Sequence, residues 1–173
     1  VNPNDGSAMH TMLTWLQHST RENNHLLYRV IKKTNVYLVY VQSDTSLNTN
    51  NIAQYGFAVC GTTQLTFTVN RQVKFNMKVH PTYTADTKPK FLKNPEQRIT
   101  WYNKKLADSG LQVHAIQEVA SSLVEFSKSA NKVTRIACCD VVGVATIKDP
   151  EKFRHFVQHG VGKLKNYGAG LFL

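Results

Sequence analysis

The sequence has few cysteines for its 173 residues. It contains three, Cys60, Cys138 and Cys139, and none of them forms a Cys-x-x-Cys pair. An odd number without that spacing argues against a disulfide framework and against a zinc or redox motif. Cys138 and Cys139 are neighbours in an apolar stretch, which predicts buried free thiols in a reducing cytoplasm.

Long apolar runs are missing as well. A membrane-spanning helix needs roughly 20 consecutive apolar residues, and no stretch of the sequence approaches that length. The sequence also has no recognisable signal peptide. We therefore expect a cytoplasmic protein without a membrane partner.

The sequence lacks the usual metal and cofactor motifs. Its seven histidines are scattered, and neither His-Glu-x-x-His nor a Cys/His zinc spacing occurs. His155 and His159 are four residues apart, but two ligands alone fit a solvated helix face better than a metal site. Closely paired carboxylates are scarce, which argues against two-metal nuclease chemistry. We expect neither a metal nor a small-molecule cofactor.

The charge is strongly basic and unevenly distributed. The formal net charge is +10, of which residues 1–70 carry +1 and residues 71–173 carry +9. Such a concentration of positive charge attracts nucleic acid, anionic lipid or an acidic protein. The charge by itself leaves these three partners open, as well as a basic protein with no special partner.

The tail of the sequence is rich in glycine and lysine. It reads GVGKLKNYGAGL at residues 160–171, which matches neither a P-loop nor a dinucleotide-binding motif. Glycines allow the backbone to approach a ligand closely, and backbone N–H groups beside lysines suit phosphate. The tail is therefore typical of a polyanion-binding loop, although an ordinary connection has the same composition.

Hydrophobic periodicity predicts the elements of the first half. Residues 9–17 have helical spacing after the cap-type residues 5–7, and residues 26–31 and 36–41 form a predicted hairpin. A second pair of strands is expected at residues 65–69 and 73–79, joined by a turn at Asn70 and Arg71, and Pro81 ends the unit.

The second half repeats this arrangement. A basic extended piece at residues 88–92 is followed by a helix that begins at Asn94-Pro95, by strands at 113–119, 123–126 and 133–147, and by a helix that begins at Asp149-Pro150. The pattern predicts an α+β fold with two tandem ferredoxin-like (RRM-like) domains. We place them at residues 1–82, where no first strand precedes Met9, and at residues 83–173.

Histidine without metal can cleave RNA, because RNA carries its own nucleophile in the 2′-OH. His10 lies near the start of a predicted helix, where an anionic phosphate is favoured. It is a candidate general base or acid, and a surface polar role is the alternative. A lysine would stabilise the charge of the transition state or protonate the leaving oxygen.

Four segments together resemble one known family. They are TKPKFLKNPEQRITW at residues 87–101, the tail from Asp149 to Leu171, FNMKVHP at residues 75–81 and MHTML at residues 9–13. Taken in their order along the chain, they resemble the segments of the CRISPR-associated endoribonucleases of type I-E systems, which process precursor CRISPR RNA. The similarity spans nearly the whole chain.

The resemblance implies two tandem ferredoxin-like domains and metal-independent cleavage at the base of an RNA hairpin. The 2′-OH would attack and leave a 2′,3′-cyclic phosphate, and the protein would stay on the guide RNA as a subunit of the Cascade complex, beside the backbone subunit at the guide 3′ end. His10 falls on the family's catalytic histidine and Lys165 on its tail lysine. The expected RNA-binding residues are Lys78, His80, Lys88, Lys90, Lys93, Lys128, Lys132, Gly160, Gly162, Lys163, Gly168 and Gly170.

The sequence departs from the family at several positions. Ser7 replaces a tyrosine that some members carry, Asn76 replaces the first arginine of an Arg-x-Arg strand, and Lys163 replaces a proline. The family's first strand is nearly absent and its last strand stops early, so either the sequence is trimmed, which we expect, or a neighbour supplies that sheet position. Ser7 and Asn76 keep an alternative open, in which the protein binds the RNA hairpin in the same complex without cutting it. A generic RRM-like RNA binder lacks support, because the usual aromatic signature is not present.

Overall fold

A computed structural model of the chain describes residues 5–17, 25–48, 50, 52, 56, 59–129 and 132–173; of residues 128, 129 and 132 it describes the backbone alone. The elements follow in the order α1 (Gly6–Leu16), β1 (Leu26–Lys32), β2 (Tyr37–Ser43), β3 (Gln72–Val79), β4 (Thr82–Ala85), β5 (Lys88–Phe91), α2 (Pro95–Asp108), β6 (Leu111–Ser129), β7 (Lys132–Ile147), α3 (Pro150–His159) and a 3-10 helix (Lys165–Tyr167). No helix among the described residues is long and apolar enough to cross a membrane.

Each α-helix begins where a short polar side chain caps it. Oδ1 of Asp5 accepts from the N–H groups of Ser7 and Ala8 at the start of α1, so this helix begins three residues earlier than the periodicity predicts. Asn94 and Asp149 cap α2 and α3 in the same way, and a proline takes the first helical position of each. The predicted starts of these two helices are confirmed.

The strands form three antiparallel sheets. Strands β1 and β2 pair as the predicted hairpin, and β4 pairs with β5. The largest sheet has the order β3-β7-β6, in which β6 and β7 form a long hairpin. The division at residues 82 and 83 stays a prediction, since β3 of the first segment pairs with β7 of the second along its whole length.

Two predicted strands differ from the structure. Residues 65–69 form no strand; instead Leu65 and Phe67 pack against the large core, with the Phe67 ring 4.6 Å from that of Phe153. Their alternation therefore reflects packing of a loop. The predicted strands 113–119 and 123–126 are one strand, β6, because bulges along it shift its register against β7 without breaking it.

Two hydrophobic cores hold these elements. The larger lies between the β3-β7-β6 sheet and helices α2 and α3, and includes Met77, Tyr102, Leu106, Val141 and Phe153. The smaller packs α1 on the β1-β2 hairpin through Met9, Leu13, Leu16, Leu26 and Tyr28. The periodic residues of α1 thus fix the face on which His10 lies.

Candidate nucleic-acid interface

The glycine-rich tail folds back onto strand β3. The N–H of Val161 donates to the carbonyl of Gly170 at 3.0 Å, which closes the loop, and the N–H of Gly170 donates to the carbonyl of Lys78 at 2.8 Å. Beyond the loop, Asn76 and Leu173 exchange two backbone hydrogen bonds, of 2.7 and 2.9 Å. The tail is therefore held as an extended segment along the edge of the large sheet.

The four glycines of this loop all have positive φ angles, and two of them show why. At Gly160 a Cβ atom would lie 2.7 Å from the carbonyl oxygen of Gly170, and at Gly168 it would lie 3.1 Å from Cε2 of Tyr28. Glycine is required there because the loop packs tightly on the protein itself. The RNA contacts expected of Gly160, Gly162, Gly168 and Gly170 stay a prediction.

The structure brings the helix of His10 beside the turn of Lys165. The hydroxyl of Tyr28 lies 2.8 Å from the carbonyl oxygen of Gly6, in the first turn of α1, and 3.2 Å from that of Asn166. His10 is 9% exposed. Lys165 is half-buried, and this desolvation lowers the pKa of its ammonium group.

The end of the β6 strand supports the same junction. The ring of Phe126 stacks on that of Tyr167 with 4.1 Å between centroids, and the hydroxyl of Ser127 donates to the capping residue Asp5 at 3.0 Å. Elements from both ends of the chain and from the long hairpin thus meet around the 3-10 helix.

A buried charge network lies beneath the tail. Arg29 donates to Oδ1 of Asn76 at 2.8 Å and to Oδ1 of Asp140 at 2.9 Å. Lys78 lies 3.7 Å from the other carboxylate oxygen of Asp140 and donates to the hydroxyl of Ser122 at 3.1 Å. Lys78, which we expected to contact RNA, is therefore already paired within the protein. Asn76 supplies no positive charge of its own and accepts a hydrogen bond from the Arg29 cation.

His80 is buried beside the tail. Its Nδ1 lies 2.6 Å from the carbonyl oxygen of Ala137, and its ring stacks on Phe91. Burial lowers the pKa of His80; the hydrogen bond to Ala137 opposes the shift, and the positive charge of Lys163 adds to it. Lys163 itself is exposed, so the structure places an exposed cation beside a buried histidine whose neutral form is favoured.

The basic segment before α2 presents exposed lysines. Lys88, Lys90 and Lys93 are all exposed, and Lys90 pairs with exposed Asp86, at 3.4 Å. Arg98 anchors the segment: it donates to the carbonyls of Leu92 and Lys93. The sequence indicated a basic segment but not its anchor.

A carboxylate in turn fixes Arg98. Glu118 accepts two hydrogen bonds from its guanidinium group, at 2.8 and 2.9 Å, and a third from the hydroxyl of Tyr102 at 2.7 Å. This bidentate pair orients the arginine fork toward the basic segment. It links the exposed lysines to α2 and β6.

Two further residues predicted to bind RNA lie at the tip of the β6-β7 hairpin. The backbones of Lys128 and Lys132 lie in β6 and β7, while their side chains are outside what the structure describes. Their expected contact with RNA stays a prediction. Across the described residues, no group of three or more His, Cys, Asp or Glu side chains is arranged to hold a metal ion.

Comparison with known proteins identifies the family to which the chain belongs and the solved structures that share its fold. The family model described as CRISPR-associated protein matches residues 2–173. No curated protein matches the chain. The sequence-based resemblance to CRISPR-associated endoribonucleases is thereby confirmed at the level of the family.

Several solved structures share the architecture. CRISPR endoribonuclease Cse3 bound to a 19 nt RNA is 19% identical, with a TM-score of 0.87 over 98% of this chain and 90% of that chain. Thermus thermophilus Cse3 bound to an RNA representing a pre-cleavage complex is 18% identical, with a TM-score of 0.85 over 98% and 88%. A chain of a CRISPR RNA-guided surveillance complex is 21% identical, with a TM-score of 0.74 over 98% and 92%. The predicted α+β, tandem ferredoxin-like fold is confirmed.

Proposed function

The chain belongs to the family of CRISPR-associated proteins, and on that premise we propose that it is a metal-independent endoribonuclease that processes CRISPR repeat RNA. It cuts at the base of a repeat hairpin and leaves a 2′,3′-cyclic phosphate on the upstream product. It then stays bound to the guide RNA, with the other Cascade subunits as partners. The observation that carries the proposal is the junction that holds the helix of His10 against the turn of Lys165, within a fold shared with RNA-bound endoribonucleases.

His10 and Lys165 suit the two proton transfers of this reaction. Attack by the 2′-OH needs a base, and departure of the 5′-oxygen needs an acid. A histidine titrates near neutral pH and serves as the base. Because desolvation lowers the pKa of Lys165, its ammonium group gives up a proton more readily than an exposed lysine does. It is therefore suited to protonate the leaving oxygen as well as to stabilise the phosphorane.

Exposed cations around the junction supply the RNA surface. Lys88, Lys90, Lys93 and Lys163 are exposed and contact phosphates of the hairpin stem; Lys128 and Lys132 extend this surface along the β6-β7 hairpin. An A-form stem is recognised mainly through its shape and phosphates. His80 and the four loop glycines shape the protein beneath this surface, and Lys78 acts through its pairing with Asp140.

Cleavage of a labelled repeat hairpin tests the proposal. Purified protein should cut the RNA once, at an equal rate with and without EDTA. The upstream product should resist phosphatase until acid opens its cyclic phosphate, because a 2′,3′-cyclic phosphate has no free monoester. A product with a 5′-phosphate on the downstream fragment, or cutting that EDTA abolishes, would rule out the proposed chemistry.

A second candidate is an RNA-hairpin-binding subunit that does not cut. Two observations favour it: Ser7 supplies no phenol near His10, and His10 itself is 9% exposed. It predicts tight binding of the repeat hairpin without product under any condition. The cleavage assay separates the two candidates, since both bind the same RNA.

A further inference from the structure

We infer that Tyr28 is a positioning residue for this reaction: its hydroxyl sets the helix of His10 against the turn of Lys165. The inference rests on the proposed function, in which these two side chains act on one phosphate. Tyr28 lies in strand β1, outside both elements, and none of the sequence motifs includes it. Its hydroxyl contacts one backbone carbonyl in each of the two elements.

The two contacts lie next to the two proposed catalytic residues. In an α-helix the carbonyl of residue i pairs with the N–H of residue i+4, so the carbonyl of Gly6 belongs to the turn that ends at His10. The second contact is the carbonyl of Asn166, which directly follows Lys165. The hydroxyl lies 2.8 Å from the first oxygen and 3.2 Å from the second. A phenol has a single proton, so the two carbonyls share one donor and must stay close together.

The surroundings of Tyr28 keep this donor in place. The side chain is 1% exposed, and its ring packs against Gly168, where a Cβ atom would lie 3.1 Å from Cε2. Burial raises the pKa of Tyr28, and the negative charge of Asp5 raises it further, so the hydroxyl stays protonated at neutral pH. Because the ring is fixed against the loop, its hydroxyl has one position, and it holds the carbonyls of Gly6 and Asn166 there.

This arrangement predicts a specific effect on rate. General acid–base chemistry depends on placement, and a displacement of about 1 Å costs on the order of a hundredfold in rate. Removal of the hydroxyl should let α1 and the 3-10 helix move apart by a fraction of that distance. The RNA surface of exposed lysines would stay unchanged, so the rate should fall while affinity does not.

Tyr28→Phe tests the inference, with Tyr37→Phe as the control. Tyr37 lies in β2 of the same hairpin but is exposed, outside both the junction and the predicted RNA surface. With full-length protein in excess over repeat RNA, Tyr28→Phe should cleave about tenfold or more slowly, with an RNA Kd within about threefold of wild type. Tyr37→Phe should cleave at the wild-type rate. Equal rates for Tyr28→Phe and wild type would overturn the inference.

A measurement independent of cleavage separates this inference from the proposed function. Hydrogen exchange should be faster in Tyr28→Phe at residues 6–10 and 164–169 and unchanged in α2; unchanged exchange at both junction segments would overturn the positioning role, whether or not the protein cuts RNA. If wild type does not cut RNA but hydrogen exchange in Tyr28→Phe changes as expected, the proposed function is wrong and the role of Tyr28 in holding the junction is supported.

A second variant covers the case in which Tyr28→Phe does not fold. Tyr167→Ala removes the stacking on Phe126 that holds the same turn and leaves Tyr28 in its core. It should also slow cleavage by about tenfold without loss of RNA affinity. Wild-type cleavage by folded Tyr167→Ala would overturn the claim that the position of this turn controls the rate.

Discussion

Arg29 and Asp140 form a buried ion pair between strands β1 and β7, with 2.9 Å between Nη2 and Oδ1 and with side chains that are 7% and 16% exposed. The pair joins the hairpin beneath α1 to the sheet that carries the tail. Asp140 also faces Lys78, so one carboxylate balances two cations. The junction between the two sheets therefore depends on charge as well as on apolar packing.

Asp140→Asn should destabilise the protein by about 3 kcal/mol, because it leaves a buried guanidinium without its counter-charge. Denaturant unfolding monitored by circular dichroism measures the change. Asp86→Asn is the control, since Asp86 pairs with Lys90 at an exposed site and such pairs contribute little. If both substitutions leave the unfolding midpoint where it is, the buried pair is not a stabilising junction.

Acidification should weaken the fold through His80. Its folded-state pKa is lowered from 6.5, so below pH 6.5 the unfolded state binds more protons than the folded state. The contribution of His80 is complete above about pH 6.5 and is lost as the pH falls, whereas carboxylates titrate at lower pH. The free energy of unfolding should fall between pH 7 and 5 less steeply in His80→Gln than in wild type. His155→Gln, on the exposed face of α3, should retain the wild-type slope; a wild-type slope in His80→Gln would contradict this assignment.

Gly168→Ala should destabilise the protein, because it places a Cβ atom on a residue with φ of +83° and 3.1 Å from the ring of Tyr28. The left-handed conformation alone costs roughly 1–2 kcal/mol. Thermal unfolding compares it with Gly61→Ala, where a new Cβ would meet nothing within 4 Å. Equal midpoints for the two variants would show that the loop does not need glycine at residue 168.

The sequence predicts those parts of the fold that depend on residues close together in the chain. Asn94-Pro95 and Asp149-Pro150 locate two helix starts because the cap, the fixed φ of proline and the first turn all lie within four residues. The β1-β2 hairpin is equally local. The strand predicted at 65–69 is wrong because alternation indicates only which side chains are covered. Here Leu65 and Phe67 lie on a loop and are covered by packing against the large core.

The parts of the site that the sequence leaves undetermined are contacts between distant residues. The hydroxyl of Tyr28 meets a carbonyl 138 residues further along the chain, and Arg29 meets Asp140 across 111 residues. A tyrosine or an arginine within an apolar strand has no spacing that identifies such a partner. Only the family resemblance, carried by whole segments, indicated that the two ends of the chain act together.

Exposed lysines should set the salt dependence of RNA binding. If Lys93 contacts a phosphate, Lys93→Ala should weaken binding of the repeat hairpin and reduce the slope of log K against log salt by about 1. Titrations by fluorescence anisotropy at several salt concentrations give this slope. Lys104→Ala removes an exposed lysine from α2 outside the predicted surface and should leave the slope as in wild type; equal effects of the two variants would mean that binding senses only net charge.

The most direct test of the account compares His10→Ala with wild type on one labelled repeat hairpin, by binding and by single-turnover cleavage in EDTA. His155→Ala, an exposed histidine on α3, is the control for loss of a histidine. We predict that wild type and His155→Ala cut the RNA once, and that His10→Ala binds it with wild-type affinity and yields no product. Cleavage by His10→Ala at the wild-type rate would contradict the account.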